Sequence, residues 1–558
     1  MNSKLTRREF TKTGAITTLG LIAGCSTKSH FDVIIKNGTI LDGSGAQGFQ
    51  KDIGIKHDKI VVIDNLKSSS ADKIIDAKNL VVSPGFIDIH THTDTELFVN
   101  PKAESKIRQG VTTEVAGNCG SSPFPLNDKD FEEYNKNLYE RYGFKIFWKD
   151  AAGFLNALGN KKVSINYATF TGHSTLRAYV VGKNDVPPTA EQMEEMKRLL
   201  ARSMENGSVG LSTGLEYAPG SYAKTDELIE LNKVVSKYGG VYATHMRNEE
   251  DKVEEALEEA IQICREAEVS TEISHFKACN QENWHKVDHL LEMVQEAFES
   301  GLPLTADRYP YIAYSTGLSI FLPLWSRQGN TDEILARLED KKEISKIKQH
   351  AEKKGKNIGG WDRIVIASCF NENNKKWEGK SIQQAAEISG VEPFEFIRTI
   401  LLEERNRVDI VGFAMDENNL KKVLSSPHVM IGSDGNAIAP YGKLGKGKPH
   451  PRFYGTFPRV LGKYAREDKI FDLATAVKKM TSMPAEKLKL KNRGKIKKGY
   501  FADITIFDPK TVIDNATFVD PHQFPTGIEY VIVNGKVTVK KGEHTGARAG
   551  EILKHKSV

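Results

Sequence analysis

The sequence predicts an α/β chain: a closed parallel (β/α)8 barrel of the TIM type, with a small β-sandwich domain formed by both termini and an inserted helical lobe. Three observations carry this. Eight short, apolar, β-rich runs end in polar residues and are separated by charged segments of helical period. The polar residues, several of them histidine, gather at the carboxyl ends of those runs, where such a barrel places its active site. An open doubly wound sheet gives no reason for histidines at so many strand ends. The length, 558 residues with 39% hydrophobic and 27% charged, calls for several structural units or one large barrel with additions.

Residues 1–24 read as an address. LTRREF at 5–10 holds a twin arginine followed by Phe10, and an apolar stretch of about a dozen residues from Gly14 ends in LIAGC at Leu21–Cys25. This pattern resembles a twin-arginine signal joined to a lipoprotein box, with Cys25 as the acylated first residue of the mature chain. Ser26 behind it implies sorting to the outer rather than the inner membrane, on the periplasmic face. An acyl anchor tethers a domain without inserting it. No run approaches the roughly 18 apolar residues of a spanning helix, and mean hydropathy is −0.42. The net charge of +5 falls to about +2 without residues 1–24, which carry Lys4, Arg7, Arg8 and Lys12 against Glu9; this argues against nucleic acid as the main partner. The oligomeric state is not legible.

The next segment, 32–84, has another texture. FDVIIKNGTILDGSG, KDIGIKHDKIVVID and KIIDAKNLVVSPG are β-rich with Asn-Gly and Asp-Gly turns, and the texture returns at 490–545 in GYFADITIFD and YVIVNGKV. Two distant β-rich ends of one style most simply form a single small domain. The barrel then occupies 85–489. Its strands are read in FIDIHTH from Phe86, TTEVAGNCG from Thr112, NYATFTGH from Asn166, SVGLSTGL from Ser208, GVYATHMR from Gly240, STEISHFKA from Ser270, PLTADRYPY from Pro303 and HVMIGSDG from His428. Helical stretches such as Glu191–Glu205, Thr225–Tyr238 and Asp251–Glu266 lie between them. The interval of about 318–411 exceeds an ordinary connection and marks the inserted lobe, its charged run DEILARLEDKKEISKIKQHAEKKGK reading as a solvated helical face.

His90 and His92 sit on one side of a strand end, because side chains alternate with period two, and so can chelate one metal ion. Alone, His-x-His is equally a polar strand end. Of the cysteines besides Cys25 (Cys119, Cys264, Cys279 and Cys369), four in so long a chain make no disulfide framework, and Cys119, at a strand end, is either a thiolate donor or a small core residue.

VVSPGFIDIHTHTD resembles the first strand of the amidohydrolase superfamily of metal-dependent barrel hydrolases. GVTTEVAGNCGSSP, GLSTGLEYAPG, THMRNE, ISHFKA, SDG and HPRFYGTFPRVLG narrow the resemblance to the D-aminoacylase, or N-acyl-D-amino-acid deacylase, branch, over about Asp32 to Gly550. It implies that Cys119, His245 and His275 hold one tightly bound Zn2+, a donor set that leaves a fourth position for water. His90, His92 and Asp434 frame a second, weaker metal position. Strand four has no lysine to be carboxylated between two metals, which sets the chain apart from hydantoinase-like and dihydroorotase-like sites.

The resemblance further implies hydrolysis of the amide of an N-acyl-D-amino acid, or of a dipeptide ending in a D-residue, with Asp434 as general base. Lys277, Tyr309 and Arg452 match the family's carboxylate contacts and Tyr217 a residue lining the substrate, with Tyr311 competing for the place of Tyr309. The partner so implied is a small molecule with a free carboxylate. Arg308 departs from the small or uncharged residue expected before that tyrosine: an extra cation there favours an acidic D-side chain or points into a salt bridge. His173, ending the third strand, is read as orienting a ligand or substrate from outside the core set, and His428 and His450 receive no role. Two rivals remain: a cyclic-amide hydrolase on the same barrel, which has no need of an open-carboxylate contact, and a lipoprotein that keeps the metal cradle without catalysis.

Overall fold

The computed structural model describes residues 30–555; the leader and Cys25 lie outside the described residues. Eight parallel strands follow one another around the barrel: Phe86–Asp88, Val111–Ala116, Asn166–Thr169 continued by Thr171–Gly172, Gly210–Gly214, Val241–His245, Ser270–Ile273, Leu304–Arg308 and Val429–Ile431. Each pairs in parallel with the next. The ring closes where Thr91 bridges Gly435 and the Asp434 amide donates to the His90 carbonyl at 2.8 Å. The third strand breaks at Phe170, so its first half pairs with the second strand and its last two residues with the fourth.

The intervening helices follow the apolar spacing. Ala190–Glu205 begins at a capping box in which Thr189 and Gln192 satisfy each other's backbone N–H groups, and it buries Met196, Leu200 and Met204 at four-residue steps. A buried ion pair joins the first and last strands: Lys106 Nζ donates to Asp88 at 2.9 Å and to the Ser433 hydroxyl, while Asp88 accepts the Ser433 amide at 2.8 Å. Lys106 and Asp88 are both fully buried. Removing one partner leaves an unpaired buried charge, so Lys106→Met is expected to lose about 3–5 kcal/mol of stability in chemical unfolding; a loss under 1 kcal/mol would show the pair to be dispensable.

Both chain ends build the sandwich. One sheet orders Lys59–Asp64, Asp52–Lys56, His30–Lys36 and Ser70–Asp76; the other carries Val81–Pro84 antiparallel to Ile504–Phe507. Between them pack Val33, Ile35, Ile53, Ile55, Val82, Ile504, Ile506 and Ile532. Asn534 and Gly535, both at positive φ, turn Ile528–Val533 back onto Lys536–Lys540, as the Asn-Gly signal demands. Asn37-Gly38 does not close a hairpin: the chain passes there from His30–Lys36 into Thr39–Ile40 of the opposite sheet.

The inserted lobe is helical, with Thr331–Glu339, Ile344–Asn357, Ile382–Ser389 and Pro393–Glu403, but it also holds an antiparallel sheet of Tyr314–Gly317, Asp409–Gly412 and Ile364–Ser368. Leu318, Ile347, Ile364, Ile382, Ile397 and Ile410 give it a core of its own. The strands Asp409–Gly412 and Ile364–Ser368 are β-branched, buried runs, the signal that a purely helical reading passes over.

Candidate metal centre and active site

The strand ends deliver their polar side chains to one point. Nε2 of His90 lies 3.4 Å from Cys119 Sγ, and Nε2 of His275 3.5 Å from the same sulfur. His92 Nε2 contacts Asp434 Oδ1 at 2.9 Å, and His90 Nε2 approaches that oxygen to 3.7 Å. The rings of His245 and His275 stand edge to face with centroids 4.5 Å apart. Three overlapping donor groups result: His90 with Cys119 and His275, His90 with His92 and Asp434, and His245 with Glu249 and His275. All six residues expected to bind metal thus converge, with the difference that His90 stands against the sulfur as closely as His275 does.

The backbone is bent to achieve this. Cys119, His275 and Asp434 have φ of 49°, 38° and 52°, left-handed values that cost a non-glycine residue about 1–3 kcal/mol each. They are the turns by which a strand end aims its side chain back over the barrel mouth. Gly214 makes room: a Cβ there would lie 2.2 Å from the Cys119 carbonyl oxygen.

Carboxylates behind the imidazoles fix which nitrogen faces inward. Asp307 Oδ2 contacts Nδ1 of His90 at 3.0 Å, and its other oxygen accepts the His275 amide at 3.0 Å. Glu249 contacts Nδ1 of His275 at 2.9 Å and Lys277 Nζ at 2.6 Å. Glu216 contacts His245 Nε2 at 3.3 Å, while the buried Nδ1 of His245 has no hydrogen-bond partner among the described residues. Such outer carboxylates set the tautomer and raise the basicity of a ligating imidazole.

The electrostatics are those of a strong cation site. Against burial, which alone would raise it, the charges of His90 and His275 hold the Cys119 thiol well below its ordinary value. Burial likewise opposes ionisation of Asp434, yet Arg452 and His92 hold it well below the usual carboxylate range. Glu249 is drawn down to about 2 by Lys277, His245 and His275, against its burial. The imidazoles respond in kind: despite burial, Glu249 and Cys119 lift His245 to about 10, and Asp434 and Cys119 lift His92 to about 9. A divalent cation bound here displaces those protons. Thiolate, imidazole and carboxylate donors whose ligand atoms lie within 4.8 Å of one another in each group, with one buried imidazole nitrogen unpartnered among the described residues, fit zinc.

A cavity of about 950 Å3 opens over this centre, lined among others by Tyr217, Lys277, Tyr309 and Arg452. Arg452 Nη1 stands 2.8 Å from Asp434 Oδ2. Tyr217 lays its ring 4.8 Å from that of His245 and bonds Thr316 through its hydroxyl at 3.1 Å. Tyr309 lines the cavity, whereas Tyr311 does not and its hydroxyl is engaged by Asp514 at 3.1 Å. His173 is bound to Glu227 at 2.9 Å and His428 to Gln295 at 2.7 Å, both away from the cavity.

Several residues of the site escape a sequence reading. His450, left without a role, accepts the Arg452 amide at Nδ1 (3.0 Å) and bonds the Ala313 carbonyl through Nε2 (3.0 Å), so it seats the arginine. Asp307, Glu249 and Glu216 stand beside recognised strand-end motifs, and strand alternation from Tyr309, two residues further on, is the signal that finds Asp307. The charged run is largely solvated, as its sequence suggests, with Lys354 as the exception. This lysine extends from the lobe helix to Glu216 at 3.3 Å and Glu250 at 3.5 Å and lines the cavity wall.

The amidohydrolase family model matches residues 73–307 and 342–539. The chain is 35% identical over 535 residues to the D-aminoacylase of Alcaligenes xylosoxydans xylosoxydans, covering 95% of this chain and 98% of that one. Among solved structures it is similar to a D-aminoacylase described as having a binuclear metal centre with one-metal activation and second-metal attenuation, at a TM-score of 0.79 and 35% identity over 94% of this chain and 100% of the other. It is equally similar to the N-acyl-D-glutamate deacylase of Bordetella bronchiseptica in complex with zinc and a phosphonate mimic of the tetrahedral intermediate, at a TM-score of 0.79 and 32% identity over 94% and 100% of the two chains.

Proposed function

Because the chain belongs to the D-aminoacylase branch of the amidohydrolase family, we propose that it hydrolyses the amide of an N-acyl-D-amino acid, releasing a carboxylate and a free D-amino acid. The observation that carries this is the juxtaposition of Asp434 with Arg452 at 2.8 Å above the Cys119, His275 and His90 cluster. A proton acceptor, a carboxylate receptor and a cation site share one cavity.

Zinc, when bound by Cys119, His245 and His275, supplies an acidified water and a polarised amide carbonyl. Its weaker second position is framed by His90, His92 and Asp434. Asp434, held ionised by Arg452 and His92, takes the proton from the attacking water and delivers it to the departing amine nitrogen. Arg452, Tyr309 and Lys277 receive the substrate's α-carboxylate, and Tyr217 covers it from the fourth strand. The guanidinium, a planar fork, suits the two oxygens of that carboxylate.

The test is turnover by zinc-loaded protein, from Ser26 onward, on paired N-acetyl-D- and N-acetyl-L-amino acids. Selective release of D-amine supports the reading; release from neither series, with zinc bound, overturns it. Arg452→Ala is expected to lower kcat/KM on the D-series by roughly 10- to 100-fold, chiefly through KM, as loss of a charged hydrogen bond to the carboxylate requires. Unchanged turnover in that variant would favour a substrate without an open carboxylate.

We further propose export by the twin-arginine route and anchoring through acylated Cys25 at the periplasmic face of the envelope. Support comes from residues 5–10 and 21–25 alone. No helix among the described residues is long and apolar enough to cross a membrane. Cys25→Ala should release the chain from the membrane fraction, and continued sedimentation with membranes would refute the anchor.

A further inference from the structure

We propose that Arg308 is a positioning residue for the substrate: a buried cation left without a counter-ion by the fold, whose charge is balanced when the substrate's carboxylate docks on the neighbouring Tyr309 and Arg452. This rests on the carboxylate reading of Tyr309, Lys277 and Arg452 given above.

Arg308 is 1% exposed on the seventh barrel strand, next to Asp307, whose carboxylate faces His90. Strand alternation therefore sends Arg308 away from the metal donors. Its Nη2 donates to the Tyr311 carbonyl at 2.9 Å, and its Nη1 is buried with no hydrogen-bond partner among the described residues. No carboxylate among the described residues pairs with it, which excludes the salt bridge that the sequence left open. Nor does it line the cavity, so it is not placed to meet an acidic D-side chain directly.

What it touches is the ring of Tyr309. The Arg308 guanidinium carbon lies 4.1 Å from the ring centroid and that of Arg452 lies 4.6 Å from the same centroid. The Tyr309 hydroxyl and Nε of Arg452 are buried and likewise unpartnered. Unpartnered donors of three neighbouring side chains thus surround one aromatic ring, and an anion is what such donors accept.

The charges agree. Lys277 is matched by Glu249 at 2.6 Å and Arg452 by Asp434 at 2.8 Å. Arg308 adds a third cation with no acid of its own, and His450 beside it is held neutral by burial and by Arg452 and Arg308. A buried charge without compensation is strongly unfavourable, and a cation–π contact offsets only part of that. A monoanionic carboxylate on Tyr309 and Arg452 completes the balance, so substrate and D-amino-acid product bind more tightly than their neutral analogues.

The test compares wild type, R308M and R308K on the best N-acetyl-D-amino acid of the panel, with the D-amino acid and its neutral carboxamide as competitive inhibitors. R308M is expected to raise KM, and the inhibition constant of the D-amino acid, roughly tenfold. It should leave kcat within about twofold, zinc content at the wild-type level and inhibition by the carboxamide unaltered. R308K, which keeps the charge, falls between R308M and wild type. Unchanged KM in R308M, equal weakening of both inhibitors, or a fall in kcat at constant KM overturns the proposal. Should R308M fail to fold, R308Q, which retains a donor for the Tyr311 carbonyl without the charge, carries the same expectation. Absence of wild-type turnover on every N-acyl-D-amino acid would instead refute the underlying reading of the substrate.

Discussion

Asp434→Asn is expected to lower kcat by about 10²- to 10⁴-fold, the range in which a positioned general acid–base group contributes. The amide has nearly the shape of the carboxylate, so the left-handed turn at φ 52° and the backbone bond to His90 should survive. What is lost is the ability to hold a proton between attack and departure. Two further outcomes follow from the surroundings. Asp434 competes with any incoming carboxylate for Arg452, its Oδ2 lying 2.8 Å from Nη1. Removing its charge frees the guanidinium, so KM should stay level or fall while kcat collapses. The tight zinc, held by Cys119, His245 and His275, should remain near one per chain by elemental analysis, because Asp434 belongs to the weaker position. Retention of more than a tenth of the wild-type kcat, or a loss of activity that tracks loss of the tight zinc, would remove Asp434 from the proton path.

The contrast between what was legible in the sequence and what was not has a physical basis. The eight barrel strands could be read because each is a short apolar run with chemistry at its carboxyl end, and all eight pair in the order in which they occur. Cys119, His245, His275, His90, His92 and Asp434 could be read for the same reason, since a strand end fixes where its side chain goes. Residues that act across elements were hidden. Lys354 looks like any lysine of a solvated helix, and only the docking of the lobe over the fourth and fifth strands turns it toward Glu216 and Glu250. His450 carries no motif of its own; its role follows from the Ala313 carbonyl and the Arg452 amide, which meet it only in the fold. The lobe's sheet was obscured by the charged helices between its strands, and Arg308 could be recognised as anomalous without its partner being deducible. Local pattern is decisive where the backbone dictates direction, and silent where tertiary packing does.

Cys119→Ser is expected to abolish tight zinc binding and with it activity, by at least about 10³-fold, and it discriminates more sharply than any histidine variant. The thiolate is the one soft donor of the set and the hub of its geometry, 3.4 Å from His90 Nε2 and 3.5 Å from His275 Nε2. Serine is close in volume, so a small buried residue that served packing alone would tolerate the change. Its hydroxyl does not ionise near neutral pH, whereas the charges of His90 and His275 draw the Cys119 thiol well below its ordinary value despite burial. The variant therefore leaves two imidazoles where three donors stood, and zinc should fall below one per chain after dialysis against a weak chelator. Cobalt substitution supplies a readout independent of turnover: the wild-type protein should show a near-ultraviolet cobalt–thiolate charge-transfer band that the variant lacks, since sulfur ligation is what produces it. Cys264, Cys279 and Cys369 are buried and belong to none of the three donor groups, so they serve as internal controls, and their replacement by serine should leave that band intact. A Cys119→Ser protein that holds one zinc with wild-type affinity would place the metal on imidazole and carboxylate alone, around His90, His92 and Asp434, and would make the weaker position the working one.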